Sequence, residues 1–144
     1  MRSLVLAGAS LLFLAVAGCA LPVDRGRDAS LEDTYWKLTR LGNEPVTMTD
    51  GQREPYLVFH GKTGRLAGFG GCNRLLGTYK LNEDTVSLGP IASTRMACAE
   101  GSETEVKFLA TLERVHFWKV VGQQLELFDP ARAMLARFEG RELK

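Results

Sequence analysis

From Leu31 to the C-terminus, apolar residues alternate with polar ones in short runs that are separated by turn residues. Alternation with a period of two is typical of strands that bury one face, and short intervening turns are typical of antiparallel neighbours. Turn chemistry is clear at Gly42-Asn43 and Asp129-Pro130. The pattern predicts strands at residues 35–41, 55–60, 65–70, 76–81, 85–88, 117–121, 124–128 and 134–139.

One segment departs from this alternation. Ser102-Glu103-Thr104-Glu105 matches a capping box, in which the Ser102 hydroxyl accepts a hydrogen bond from the Glu105 backbone N–H. Apolar residues then recur at helical spacing, at Val106, Leu109, Leu112 and Val115, with Phe108 beside them. We therefore expect a mainly β fold, an antiparallel meander rolled into a small lipocalin-like barrel or sheet, with one α-helix covering a face or an open end.

The first 18 residues have the pattern of a secretory signal peptide, with Arg2, an apolar run and small residues before Cys19. The apolar run is too short for a membrane-spanning helix, which needs about 20 residues. The ending Val16-Ala17-Gly18-Cys19 resembles a bacterial lipobox, in which the cysteine is acylated and begins the mature chain. The alternative is an ordinary signal peptide with a chance cysteine near its cleavage point.

Acyl chains on Cys19 would anchor the protein to a membrane. Ala20 stands where lipoproteins retained in the inner membrane commonly carry aspartate, so by resemblance to sorting rules we expect the outer membrane, with the domain facing the periplasm. Residues 19–30 are polar and contain Pro22 and Gly26, which is typical of a tether. The predicted organisation is a signal peptide at 1–18, a lipidated cysteine and tether at 19–30, and one domain at 31–144.

The charge balance argues against nucleic acid as a partner. Removing Arg2 with the signal peptide takes the 18 Lys and Arg residues to 17, which equals the 17 Asp and Glu residues. The basic residues are scattered and form no run or stripe. The mature chain is therefore neutral overall and long enough for one domain with a sizeable core.

Once Cys19 is assigned to the lipid, Cys72 and Cys98 remain as an even pair in an oxidising compartment, which favours a structural disulfide. Three alternatives stay open. A cysteine nucleophile would need a base, and the chain has two histidines, His60 and His116. A metal site would want clustered ligands, with Met96 and Cys98 as a candidate copper pair. The thiols could also be reduced and merely buried.

Several residues are candidates for contacts with a partner. Asn73 has two interpretations: its amide contacts a ligand, or its backbone forms a left-handed turn beside Cys72. Arg95 also has two: it binds an anionic group, or it is an ordinary surface or ion-paired charge. Adjacent Phe117 and Trp118 point to opposite faces of a strand, so we expect one of them to be exposed, and Trp118 is the candidate for a partner contact. Gly68, Gly70 and Gly71 superficially resemble a phosphate loop, but no helix follows them, so strand bulging or close backbone approach is favoured.

A family resemblance rests on Trp36 with Leu38, on Gly71-Cys72-Asn73, and on the run from Ala92 to Cys98, ASTRMAC. These residues resemble the META domain of HslJ-like lipoproteins over residues 31–139, with Leu75 where many relatives carry an aromatic residue. The resemblance implies a compact β-rich domain of bacterial envelopes, associated with stress responses in some members and motility or virulence in others. It implies no established catalytic activity.

No catalytic triad or metal-ligand spacing stands out in the sequence. We therefore expect a non-enzymatic envelope lipoprotein, without a cofactor or metal, that binds an envelope protein or supports envelope integrity under stress. The first alternative is a carrier of a small apolar ligand inside a lipocalin-like roll, for which a continuous internal cavity would be evidence. The second is an enzyme whose polar cluster forms only in the folded chain.

Overall fold

The computed structural model of the protein describes residues 26–143. The predicted signal peptide and Cys19 lie outside the described residues. The elements, in chain order, are β1 (Thr34–Leu41), β2 (Glu44–Pro45), β3 (Tyr56–His60), β4 (Arg65–Phe69), β5 (Arg74–Asn82), β6 (Thr85–Leu88), β7 (Ala92–Ser93), α1 (Ser102–Leu112), β8 (Phe117–Val121), β9 (Gln124–Phe128) and β10 (Met134–Glu142). The predicted strands and the single helix are confirmed.

Eight antiparallel strands form a closed barrel in the order β1, β3, β4, β5, β6, β8, β9, β10, and β10 pairs with β1 to close it. The link between β6 and β8 is thin, with one register pair, Thr85 and Phe117. Two backbone hydrogen bonds support it, from Val86 N–H to the His116 carbonyl and from Trp118 N–H to the Asp84 carbonyl, each 2.9 Å long. The sheet is therefore a barrel, as the sequence predicts, with one weak seam.

Side chains fill the barrel interior. Each wall strand points alternate residues inward, as a period of two requires. The largest of these side chains are less than 2 % exposed: Trp36, Leu38, Leu57, Phe59, Leu66, Leu75, Leu125, Leu127 and Phe138. From the helix, Phe108 and Leu112 join the same core, and the rings of Phe108 and Phe138 lie 6.0 Å apart. The helix thus completes the core of the barrel.

The start of α1 differs from the predicted capping box. Gly101 is the N-cap residue, in a left-handed conformation with φ 84°, and the helix has no side-chain cap. The Ser102 hydroxyl instead donates to the Cys98 carbonyl at 3.3 Å. Val106, expected on the apolar face, is 69 % exposed, while Glu105 is only 7 % exposed. The buried face carries Glu105, Phe108 and Leu112, so a carboxylate lies where the pattern predicts an aliphatic side chain.

The barrel has two distinct ends. We call one the tether end, because residues 26–30 lead into β1 there, next to the end of β10 and the turn between β8 and β9. At this end Asp28 accepts a hydrogen bond from the Gly122 N–H at 2.6 Å, and the Ala29 N–H donates to the Gly122 carbonyl at 2.8 Å. We call the other the helix end, where the residues between β4 and β5 meet the start of α1.

Candidate functional site

A disulfide joins Cys72 and Cys98, as the cysteine pairing predicts. Cys72 lies in the corner between β4 and β5, and Cys98 lies in the irregular segment between β7 and α1. With both sulfurs in the disulfide, neither thiolate is available as a nucleophile or a metal ligand in this state. The bond closes a long loop, and the chain-entropy model gives about 3.5 kcal/mol of stabilisation for that length.

Beneath the disulfide, Glu105 binds the β4–β5 corner, which we define as residues 70–73. Its Oε2 accepts hydrogen bonds from the backbone N–H of Cys72, at 3.1 Å, and of Asn73. Its Oε1 accepts from the side-chain Nδ2 of Asn73 at 2.8 Å. Because both oxygens are engaged in a buried setting, this carboxylate fixes the corner to the helix.

Asn73 extends the same network to the segment that carries Cys98. Its Oδ1 accepts from the Thr94 hydroxyl at 2.9 Å and from the Met96 N–H at 2.7 Å. The side chain is 7 % exposed, so Asn73 lies inside the structure and not on a contact surface. The left-handed conformation expected for Asn73 belongs to Gly71, with φ 122°. Asn73 therefore connects three segments within the fold.

Glycines allow this corner to approach the helix. A Cβ at Gly70 would lie 2.6 Å from the Glu105 side chain, and one at Gly71 would lie 2.8 Å from the Gly101 carbonyl oxygen. At Gly68 a Cβ would lie 2.4 Å from the Tyr56 carbonyl oxygen, inside the sheet. Close backbone approach, one of the two favoured interpretations, thus explains these glycines.

An open cleft of about 850 Å³ lies against the disulfide at the helix end. We call it the disulfide cleft. Its wall includes the disulfide itself, Phe69 and Arg74, and Arg53 places its guanidinium 4.4 Å from the centre of the Phe69 ring. Met96 also lines the cleft and is 64 % exposed. The acidic residues on its rim are Asp50 and Glu100, and Glu100 accepts a hydrogen bond from Thr49.

The other predicted contact residues do not line this cleft. Arg95 is exposed and forms no ion pair with a described residue. Trp118 is half-buried against the core, and its Nε1 is buried without a hydrogen-bond partner among residues 26–143. Phe117 is covered by the Arg132 guanidinium, 3.4 Å from its ring centre. Neither aromatic of this pair is freely exposed.

A polar cluster on the outside of β1 shifts two pKa values. Glu54 accepts hydrogen bonds from Lys37 Nζ at 2.9 Å and from the Tyr35 hydroxyl at 3.0 Å. Partial burial raises the pKa of Glu54, but these two bonds and the charges of Lys37 and Arg141 together outweigh it and lower the pKa below its ordinary value of 4.5. Burial, together with the bond to Glu54, raises the pKa of Tyr35. The cluster ties β1 to the segment before β3.

Within residues 26–143, no three His, Cys, Asp or Glu side chains come together as a metal site would require. His60 lies at the tether end, with its Nδ1 4.0 Å from an oxygen of Asp33, and His116 packs edge-on against Phe117. No helix in the described part of the chain is long and apolar enough to cross a bilayer.

Sequence reasoning missed Glu105 as the residue that organises the site. A signal was present, because Glu105 precedes Phe108 and Leu112 by three and seven residues and so shares their helix face. A carboxylate on an apolar face needs buried donors. Which donors those are follows only from the fold, since Cys72 and Asn73 lie more than 30 residues away in the sequence.

Comparison with solved structures supports the fold. An NMR structure of a protein from Burkholderia xenovorans is 28 % identical with a TM-score of 0.64, covering 77 % of this chain and 83 % of that one. A second NMR structure is 26 % identical with a TM-score of 0.58, covering 76 % of this chain and 91 % of the other. A crystal structure of a DUF4847 family protein from Bacteroides vulgatus shares the fold at 13 % identity, with a TM-score of 0.54 and coverage of 79 % and 96 %.

Comparison with curated proteins gives no match. The META domain model matches residues 29–142, from Ala29, which is hydrogen-bonded to Gly122, to the last residue of β10. The matched range includes the disulfide, the Glu105 network and the whole barrel. The chain belongs to the META domain family.

Proposed function

We propose that this protein is a lipid-anchored envelope protein whose META domain binds a protein partner at the disulfide cleft. The observation that carries the proposal is the cleft itself. It is concave, has a volume of about 850 Å³, and lies against a corner fixed by a disulfide and a buried carboxylate. A binding site on rigid elements loses little conformational entropy when the partner arrives.

The chemistry of the cleft favours a protein partner. Met96 is a long, flexible apolar side chain that stays 64 % exposed, and methionine adapts to varied apolar surfaces. Arg53 adds a guanidinium, which is stacked on the ring of the buried Phe69. Aromatic residues, methionine and arginine are the residue types enriched in the centres of protein interfaces.

A binding role is favoured over catalysis because the polar groups behind the cleft are already engaged. Both oxygens of Glu105 accept hydrogen bonds from the β4–β5 corner, and the Asn73 side chain bonds to α1 and to the segment after β7. A general acid or base must instead reach a substrate proton. The alternative of a carrier for a small apolar ligand inside the barrel is also disfavoured, because apolar side chains already fill the barrel interior.

The position of the tether supports a membrane-anchored arrangement. The tether is hydrogen-bonded to Gly122 at the tether end, while the cleft lies at the helix end. A lipid on Cys19 would therefore leave the cleft directed away from the membrane surface. With Ala20 after the cysteine, we propose the outer membrane, with the cleft open to the periplasm.

Fractionation tests the anchor. Cys19→Ser should move the protein from the membrane fraction to the soluble periplasmic fraction, because the acyl chains are the proposed attachment. The matched control is the double variant Cys72→Ala, Cys98→Ala, which removes the other two cysteines and should stay in the membrane fraction. Retention of the Cys19→Ser protein in the membrane would contradict the lipid anchor.

Photo-crosslinking in intact cells tests the cleft. p-Benzoylphenylalanine introduced at Met96 should form an adduct with a protein, and Arg74→Glu should remove the adduct. Val106 is the matched control, since it is 69 % exposed against 64 % for Met96 and also lies near the helix end. No adduct at Met96, or an equal adduct at Val106, would argue against a partner in the cleft.

A further inference from the structure

The outer surface of the β3–β4–β5 wall carries a row of four apolar side chains. Val58, Ala67, Leu76 and Ala92 are consecutive register partners across β3, β4, β5 and β7. Their strand neighbours Leu57, Leu66 and Leu75 belong to the core, so this row faces outward. Val58 is buried but lies outside the core cluster, and Leu76 is 55 % exposed. We call these four residues the apolar row.

An arginine stands on each side of the apolar row. Arg65 is two residues before Ala67 on β4, and Arg74 is two residues before Leu76 on the antiparallel β5. They therefore lie on opposite sides of the row, about 14 Å apart by strand geometry. Both are exposed, and neither forms an ion pair with another residue in the described range 26–143.

Three cations on other walls of the barrel are, by contrast, paired with carboxylates. Arg137 bonds Glu126 at 2.7 Å, Arg132 bonds Asp84 at 2.8 Å, and Lys37 bonds Glu54 at 2.9 Å. No carboxylate of the described residues forms an ion pair with the two arginines beside the apolar row, so their positive charge is available to a partner. A complementary surface would bring carboxylates to them.

Two clefts adjoin the apolar row. The disulfide cleft includes Arg74 on one side of it. On the other side, a second cleft of about 680 Å³, which we call the side cleft, is lined by Arg65, Ala67 and Leu76. Its carboxylate, Asp33, lies beside His60. The row and the two clefts form one surface that runs from the disulfide toward the tether end.

We infer that this surface binds an extended segment of a protein partner in which two acidic residues lie four positions apart with an apolar residue midway between them. In an extended chain, residues four apart lie about 13 Å from each other and point to the same side, which matches the separation of Arg65 and Arg74. The apolar residue would then contact Leu76 and Ala67. This inference rests on the proposed function and specifies the chemistry of its partner.

The test uses a synthetic peptide, Ser-Thr-Glu-Thr-Leu-Thr-Glu-Thr-Ser, titrated into the isotope-labelled mature chain in detergent micelles while amide chemical shifts are followed. We expect saturable shifts at Ala67, Leu76 and Ala92. The same peptide with lysine in place of both glutamates should give none. Since each exposed pair contributes up to about 1 kcal/mol, Arg65→Glu with Arg74→Glu should weaken binding by about tenfold or more.

Lys119→Glu is the matched control, because Lys119 is an exposed cation on β8 and its reversal should leave the peptide affinity unchanged. Unchanged thermal unfolding of the double arginine variant establishes that it folds, as expected for two exposed side chains. The inference is overturned if the acidic peptide gives no shifts, if the lysine peptide binds equally, or if Lys119→Glu weakens binding as much as the arginine changes.

A bilayer with an anionic surface is the other class of surface that two arginines could meet. If phosphatidylglycerol vesicles shift the amides of the apolar row and the acidic peptide does not, the inference is wrong and the face binds lipid. The proposed function fails separately, through loss of the Met96 adduct. If the Met96 adduct persists and the acidic peptide does not bind, the inferred chemistry of the partner segment is wrong and the proposed function still stands.

Discussion

Glu105 and Asn73 form the central polar contact of this domain, with the glutamate Oε1 accepting a hydrogen bond from the asparagine Nδ2 at 2.8 Å. Both side chains are 7 % exposed. The other oxygen of Glu105 accepts from two backbone N–H groups, and the other end of the Asn73 amide accepts from Thr94 and Met96. The pair thus connects the helix, the β4–β5 corner and the segment that lines the cleft.

Replacing the acceptor should destabilise the domain. In Glu105→Gln, an amide NH₂ replaces one of the two accepting oxygens and leaves at least one buried donor unpaired. The expected loss in the free energy of unfolding is about 1–3 kcal/mol, measured by urea denaturation. Glu113→Gln, at the exposed C-cap of the same helix, is the control and should leave the urea midpoint unchanged. Equal midpoints for wild type and Glu105→Gln would refute the role given to this carboxylate.

The disulfide should supply a large share of the stability. Reduction of the folded protein should lower the free energy of unfolding by about 3.5 kcal/mol in the chain-entropy model. The variant Cys72→Ala, Cys98→Ala should show the same lower stability with and without reductant, which separates the disulfide from any other effect of the reagent. If reductant leaves the wild-type unfolding curve in place, the disulfide does not carry the stability assigned to it.

Gly101 combines two requirements that a pair of variants can separate. Its φ is 84°, and a Cβ there would lie 2.2 Å from the Gly71 carbonyl oxygen. Gly122 has φ 59° but nothing within 4 Å of its Cβ position. Gly122→Ala should therefore lose only about 1–2 kcal/mol of stability, which is the cost of a left-handed conformation for alanine. Gly101→Ala should lose clearly more. Thermal unfolding of both variants measures the difference, and equal losses would mean that the close approach to Gly71 is unimportant.

Glu54 should contribute stability that depends on pH. Partial burial raises its pKa in the folded protein, but the bonds from Lys37 and Tyr35 and the charges of Lys37 and Arg141 together lower it below 4.5. A carboxyl whose pKa falls on folding stabilises the folded state above its unfolded pKa, and this stabilisation disappears as the pH drops through the folded pKa. Glu54→Gln should thus lower the melting temperature at pH 7 and have little effect near pH 2. A difference that stays constant over this range would contradict the assignment.

The strands were predictable because each has one face in the core and one outside. β6, β8 and β9 begin and end at the predicted residues, since turn residues flank them directly. The two-residue strands β2 and β7 are too short to show a period and follow from pairing with β1 and β5. Their existence depends on neighbours that the local sequence does not contain.

The site was only partly predictable. The disulfide followed from the number of cysteines, but the role of Asn73 followed from the fold, because its partners come from α1 and from the segment after β7. Likewise, the predicted capping box is absent because Gly101 is the N-cap, and the Glu105 N–H donates to the Gly101 carbonyl instead of the Ser102 hydroxyl. The apolar row became visible only once the strand register aligned residues from four strands.

The most direct test of partner binding on the β3–β5 wall is photo-crosslinking in intact cells from two exposed apolar positions on strands. Leu76, in the apolar row, is 55 % exposed, and Val121, at the tether end, is 58 % exposed. With p-benzoylphenylalanine at each position in turn, we expect a defined protein adduct from Leu76, lost when Arg65 and Arg74 are changed to glutamate, and none from Val121. An adduct from Val121 with none from Leu76 would contradict a partner on this wall.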